Sequence, residues 1–108
     1  MTRGTIATVV LPGAYGKPRP ALVVQSNLFA DLPSVTILPI TSELREAPIF
    51  RLPVAPSPAN GLLVPSQIMI DKIQTIPAEK AGTVIGKLDD SALVAINRAL
   101  ALFLGFGG

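Results

Sequence analysis

The residues with reactive side chains in informative settings are few. Arg19 stands in Gly16-Lys17-Pro18-Arg19-Pro20-Ala21-Leu22-Val23-Val24, fenced by prolines directly before an apolar run. Each proline fixes its own φ and drives the residue before it toward extended backbone, so Lys17 and Arg19 are held taut rather than left to wave. Thr41-Ser42 places two hydroxyls at the exit of a β-branched stretch, and Asp71 interrupts the apolar segment Ile68-Met69-Ile70-Asp71-Lys72-Ile73. Each also has a plainer role: an arginine keeps a strand mouth soluble, paired hydroxyls cap a turn, and an aspartate is solvated at a sheet edge. The chain has no histidine and no cysteine. The commonest general base, the commonest metal ligand and all thiolate and disulfide chemistry are therefore missing, and any catalysis runs on Arg, Lys, Asp, Glu, Ser, Thr or Tyr.

Composition sets the frame for these groups. In 108 residues, 49% are hydrophobic and 15% charged, which is little polar surface for a small monomer and favours a partner or a second copy. The length fits one domain, 1–108. A net charge of +2 permits an anionic ligand without demanding one. No apolar run approaches the roughly 18 residues of a membrane span, and Met1-Thr2-Arg3-Gly4 leads straight into strand-like sequence, so a cytoplasmic protein is expected with no membrane association.

The elements that must position the reactive groups read mainly as strands. Thr5–Leu11 is β-branched and too short for a helix, and the loop 12–16 returns the chain to Arg19 with Tyr15 offering a stacking face. Residues 20–25 are apolar at every other position on both faces, which suits a central strand. Ser26–Pro33 leaves the sheet as a short helical turn. Residues 34–40 form a third strand whose Pro39 argues for an edge or a bulge. Residues 49–54 form a strand that turns through Asn60-Gly61 into a hairpin. Residues 67–75 read as a strand that sets Asp71 on the face opposite Ile70, and 83–87 as a last strand. From Asp89 the period becomes helical: Asp89, Asp90 and Ser91 suit an N-terminus, Leu93, Ile96, Leu100 and Phe103 recur on one stripe, and Gly105 suits a left-handed cap. The opposite face, with Val94, Ala95, Ala99, Ala101 and Leu102, is too apolar for water and calls for burial by another chain. The closing Phe106-Gly107-Gly108 is expected to fray.

In this order the motifs resemble the MazF/PemK (Kid) family of toxins from bacterial toxin–antitoxin pairs: Arg3-Gly4 before a strand, Arg19-Pro20-Ala21-Leu22-Val23-Val24, Pro39-Ile40-Thr41-Ser42, Ile70-Asp71-Lys72-Ile73-Gln74-Thr75-Ile76, and a C-terminal helix. The resemblance runs over nearly the whole chain. It implies a mainly β fold, an SH3-like small antiparallel barrel of five to six strands with a C-terminal α-helix, assembled as a homodimer. It also implies an endoribonuclease that cleaves single-stranded RNA without metal or other cofactor and is held in check by a MazE/PemI-like antitoxin. Carried over by position, the catalytic residues are Arg19, Thr41 and Asp71, and the RNA-binding residues are Tyr15, Lys17 and Ser42. The chain departs from the pattern at Met69, where some members carry arginine, at Thr5, where an acid is common, and in a short loop before Arg19 that lacks a histidine.

The implied chemistry suits these side chains. Internal attack by a ribose 2′-hydroxyl needs a proton acceptor, stabilisation of the phosphorane charge and neutralisation of the leaving 5′-oxygen. The planar fork of arginine matches phosphate oxygens, hydroxyls of Thr41 and Ser42 can donate to the same group, and Asp71 is the carboxylate available to take a proton. Two other readings follow from the same resemblance: a CcdB-like toxin that shares the fold but binds gyrase, using the apolar end of the helix, or a homologue that binds RNA and antitoxin without cutting.

Overall fold

The computed structural model describes residues 1–13 and 15–106; Ala14, in the turn before Arg19, and Gly107-Gly108, expected to fray, lie outside them. Among the described residues there are seven strands and one α-helix: β1 Thr5–Val10, β2 Pro18–Val23, β3 Ser34–Thr41, β4 Arg51–Val54, β5 Ser66–Met69, β6 Gln74–Pro77, β7 Ala81–Lys87 and α1 Asp90–Leu104. All pairings are antiparallel, in the order β4-β5-β3-β2-β1-β7 with β6 also on β3. The fold class is the one the resemblance implies, with more strands than its five to six, and the curled sheet does not close into a ring among the described residues.

The double-sided apolar reading of β2 holds, because the sheet has a core on each face. Ile6, Leu22, Leu38, Ile40 and Ile68 face α1, where Ile96 is fully buried and Leu93 and Leu100 pack beside it. Val9, Ala21, Val23, Val35, Ile37 and Ile76 form a second cluster. Burying an aliphatic side chain of this size is worth about 1.5–3 kcal/mol, so these residues decide the register of the central strands. The helix ends as its sequence dictates: the Asp89 carboxylate accepts the Ala92 N–H at 2.7 Å, and Gly105, at φ 86°, directs its N–H to Ala101 and Leu102 carbonyls. Phe103, expected on the buried stripe, is about half exposed together with Leu102 and Leu104.

Two strand readings are corrected. Pro39 does not mark an edge: β3 is central, paired with β2 on one side and with β5 and β6 on the other. The proline is tolerated because it falls where β3 changes partner, between Ile37, which pairs with Gln74, and Ile40, which pairs with Ile68. Three residues along β3 thus correspond to six along the opposing segment. The three extra residues are Ile70–Lys72, which form a 3-10 turn and break the expected continuous strand into β5 and β6. Asp71 consequently sits on that turn rather than on an alternating strand face.

The expected hairpin is present as the antiparallel pair β4–β5, with a long connection, residues 55–65, that runs on past Asn60-Gly61. Asn60 is buried and saturated: its Oδ1 accepts from Ser57 and Leu62 backbone N–H groups and its Nδ2 donates to the Ala55 carbonyl. Gly61, at φ 71°, lies so close to β7 that a Cβ there would fall 1.9 Å from the Ile85 carbonyl oxygen. This contact holds Leu62–Val64 beside the end of β2.

Candidate active site

The site arises where the β2–β3 ladder runs out of donors. Its pairs are Val23 with Ile37, Leu22 with Leu38 and Ala21 with Pro39, and there it stops. Two further residues in the same register would set Arg19 opposite Thr41. Pro20 has no N–H to offer at the next step of this ladder, and there the strands part and a groove of about 650 Å³ opens between them. Arg19, Thr41 and Ser42 line this groove together. Much of its remaining wall is apolar, with Leu62, Leu63 and Val64 from the locked connection and Ile85 from β7, and Leu63 is almost fully exposed.

Arg19 is exposed, and the ion pair found among the described residues, Lys72 Nζ to Asp71 Oδ2 at 3.9 Å, leaves it unengaged. Thr41 Oγ1 accepts the Glu43 backbone N–H at 3.0 Å, which uses an oxygen lone pair and leaves the hydroxyl proton free to donate. The plain capping role and a ligand-binding role are thus compatible at this residue. Ser42 is exposed at the rim.

The other expected site residues lie apart from these three. Asp71 is outside the groove lining, two residues beyond Met69, which is within it. Its Oδ1 is buried with no hydrogen-bond partner, an arrangement that leaves strong acceptor capacity unused. Tyr15 and Lys17 are exposed on the β1–β2 loop, Tyr15 at φ 52°, outside the lining to which Leu11 at the start of that loop contributes. Glu43 and Met69 also line the groove, Glu43 not singled out in the sequence and Met69 named there only as a departure from the family pattern. Glu43 brings a carboxylate to the groove, and its place one residue after Thr41-Ser42 is the signal that could have found it. Met69 reaches the groove because β5 pairs with the end of β3, a long-range register invisible in the local pattern.

A guanidinium, two hydroxyls and a carboxylate beside an apolar wall suit an anionic ester that carries flat, weakly polar groups. No three of the described acidic residues come together as a metal-binding cluster.

Comparison with known proteins bears on this chemistry. The profile of PemK-like, MazF-like toxins of type II toxin–antitoxin systems matches residues 2–104. A probable endoribonuclease MazF of Mycolicibacterium smegmatis is 42% identical over 109 residues, covering the whole of both chains. The Mycobacterium tuberculosis toxin MazF-mt6 superposes with a TM-score of 0.80 at 31% identity, covering 94% of this chain and 96% of that one. A mycobacterial endoribonuclease solved in complex with its cognate antitoxin also gives a TM-score of 0.80, at 25% identity, covering 97% of this chain and 95% of that one.

Proposed function

Since the chain belongs to the PemK-like, MazF-like toxins of type II toxin–antitoxin systems, we propose that it is a cytoplasmic endoribonuclease that cuts single-stranded RNA and is neutralised by a cognate MazE-like antitoxin. The observation that carries the reading is the meeting of Arg19, Thr41 and Ser42 in one groove with an apolar wall. The Arg19 guanidinium takes the scissile phosphate, where it stabilises the charge that develops on the non-bridging oxygens as the 2′-oxygen attacks. Thr41 and Ser42 donate hydroxyl protons to the same phosphate. Unpaired nucleotides are required because bases must splay onto the wall at Leu62–Val64 with their edges free. Tyr15 and Lys17, on the loop beside the groove, extend this contact by stacking and by charge. As the 2′-oxygen bonds to phosphorus the P–O5′ bond breaks, and the departing 5′-oxygen takes a proton from water at the open groove, so the products are a 2′,3′-cyclic phosphate and a 5′-hydroxyl.

The proton acceptor is Asp71, the carboxylate beyond Met69 with an unused oxygen. Glu43 is a second reading, favoured by its place in the groove lining itself. Asp71→Asn and Glu43→Gln separate them, because loss of the true base abolishes the acidic limb of the pH–rate profile while loss of the other leaves that limb in place. A homodimer is supported by the apolar surface at the end of α1, where Leu102, Phe103 and Leu104 are about half exposed and Phe106 is mostly exposed.

The reading is tested by incubating the protein with a long single-stranded RNA in excess EDTA and mapping the new ends. Discrete cuts with 2′,3′-cyclic phosphate termini, suppressed by the antitoxin, are expected. Intact RNA, or cutting that vanishes with the chelator, refutes it.

A further inference from the structure

The β3–β4 connection, residues 42–50, carries two of the groove-lining residues, Ser42 and Glu43, yet it has almost no hydrophobic anchor. Leu44 is 56% exposed, Ile49 70% and Phe50 40%, and small Ala47 is half-buried. A segment so poor in buried apolar contacts opens easily unless polar contacts hold it. The contacts that do so converge on two side chains from neighbouring strands. The Gln67 amide, on β5, accepts the Arg45 N–H through Oε1 at 3.1 Å and donates from Nε2 to the Arg45 carbonyl at 2.9 Å. It thereby treats Arg45 as a strand treats a ladder partner. Arg51, on β4, donates from Nη1 to the Glu43 carbonyl at 2.8 Å and to Gln67 Oε1 at 3.1 Å, while Nη2 reaches Met69 Sδ at 3.6 Å.

The pleat places this clasp next to the chemistry. Gln67 pairs across the ladder with Thr41, and Arg51 pairs with Met69. Thr41 and Met69 both line the groove. From these contacts we infer that Gln67 and Arg51 are positioning residues of the active site: they fix the loop through Glu43 and Arg45 so that Ser42 and Glu43 face the groove before substrate arrives. The ordering entropy of that rim is then met on folding rather than on binding. The inference rests on the ribonuclease reading for its catalytic consequence but not for its structural one.

The test therefore has two independent readouts. Gln67→Met keeps the length of the side chain and removes both bonds to Arg45. Arg51→Met keeps an unbranched stem and removes every donor to Glu43 and Gln67. Trypsin cleavage after Arg45 should accelerate by about tenfold in each variant as the loop is freed, with no matching drop in Tm. On a short single-stranded RNA, kcat/KM should fall by about tenfold, mostly through KM, because the loop must now be ordered by the substrate. The double variant should be little worse than either single one, since the two side chains act through one contact set. Unchanged cleavage after Arg45 in both variants overturns the clasp whether or not the protein cuts RNA. A loss confined to kcat, or additive losses in the double variant, overturns the positioning role. If the parent cuts no RNA at all, the ribonuclease reading fails while the trypsin result still decides the clasp.

Discussion

Thr41 joins the two sides of the site, and its replacement gives the most discriminating experiment. In the protein its Oγ1 accepts the Glu43 N–H at 3.0 Å in a partly exposed turn, so removing it should cost about 0.5–1.5 kcal/mol of stability. For a chain of this length that corresponds to a Tm lowered by roughly 3–9 °C, within the sensitivity of a thermal melt. The hydroxyl proton has a different use: donated to a phosphate oxygen, it makes a hydrogen bond to a charged group worth about 1.5–3 kcal/mol, or about 10- to 150-fold in kcat/KM. Thr41→Val is nearly isosteric and removes both contributions. Thr41→Ser keeps the hydroxyl and should keep both. Cleavage of a fluorogenic single-stranded RNA, measured alongside the melt, separates them. If Thr41→Val loses only the few degrees and retains activity within about twofold, the hydroxyl is a turn residue and the phosphate contact is wrong.

Other outcomes follow from the same coordinates. Arg19→Ala should lower kcat by about a hundredfold, the usual effect of losing one donor to a developing oxyanion, with the melt unchanged because the side chain is exposed; parental activity and toxicity in that variant would remove the core of the mechanism. Gly61→Ala should cost about 3 kcal/mol or more, because the new Cβ meets the Ile85 carbonyl at 1.9 Å at a backbone φ of 71°, and a melt within about 5 °C of the parent would show that the 55–65 connection does not hold β7 as described. The Asp89 carboxyl is held below its ordinary value of 3.8, chiefly by the Ala92 N–H and then by the Ser91 hydroxyl. Its folded-state pKa is depressed, so the cap's contribution is complete above that value and fades as pH falls through the folded one. Asp89→Ala should therefore separate from the parent in melts at neutral pH and converge with it as pH falls through the lowered folded-state value, whereas a pH-independent difference would show that the cap acts through its packing.

The parts of the fold that could be read from the chain are those whose cause is local. The helix was bounded correctly because its signals are adjacent in sequence: Asp89 at the N-terminus, Gly105 at the C-terminus, and Leu93, Ile96 and Leu100 between them. The two-sided burial of β2 is equally visible, since the unbroken apolar run Pro20–Val24 admits no solvent face. What could not be read depends on partners distant in sequence. Pro39 looks like an edge residue until it is known that β3 passes from β6 to β5 at that point, and Asp71 looks like a strand residue until the three-residue slip between those strands is known. At the site, Arg19, Thr41 and Ser42 were found together because their types are conspicuous. The Gln67 and Arg51 contacts were not, because neither residue departs locally from an ordinary amphipathic strand.

The proline that ends the β2–β3 ladder, Pro20, is also what opens the groove. With an N–H at position 20 the ladder would have continued past Ala21 and Pro39 to Arg19 and Thr41 and zipped the cavity shut, placing the guanidinium across a ladder from the hydroxyl with no room for a phosphate between them. Proline ends the ladder without loosening the backbone, because it removes the donor while fixing φ. Pro18 and Pro20 hold Arg19 extended while the β1 side of the same strand stays paired, with Val9 opposite Arg19 and Val10 opposite Pro18. One edge of β2 is thus anchored and the other is free, and the arginine is rigid in backbone yet open in side chain. That combination is what an anion site requires, since a donor fixed before substrate arrives need not be reorganised in the transition state.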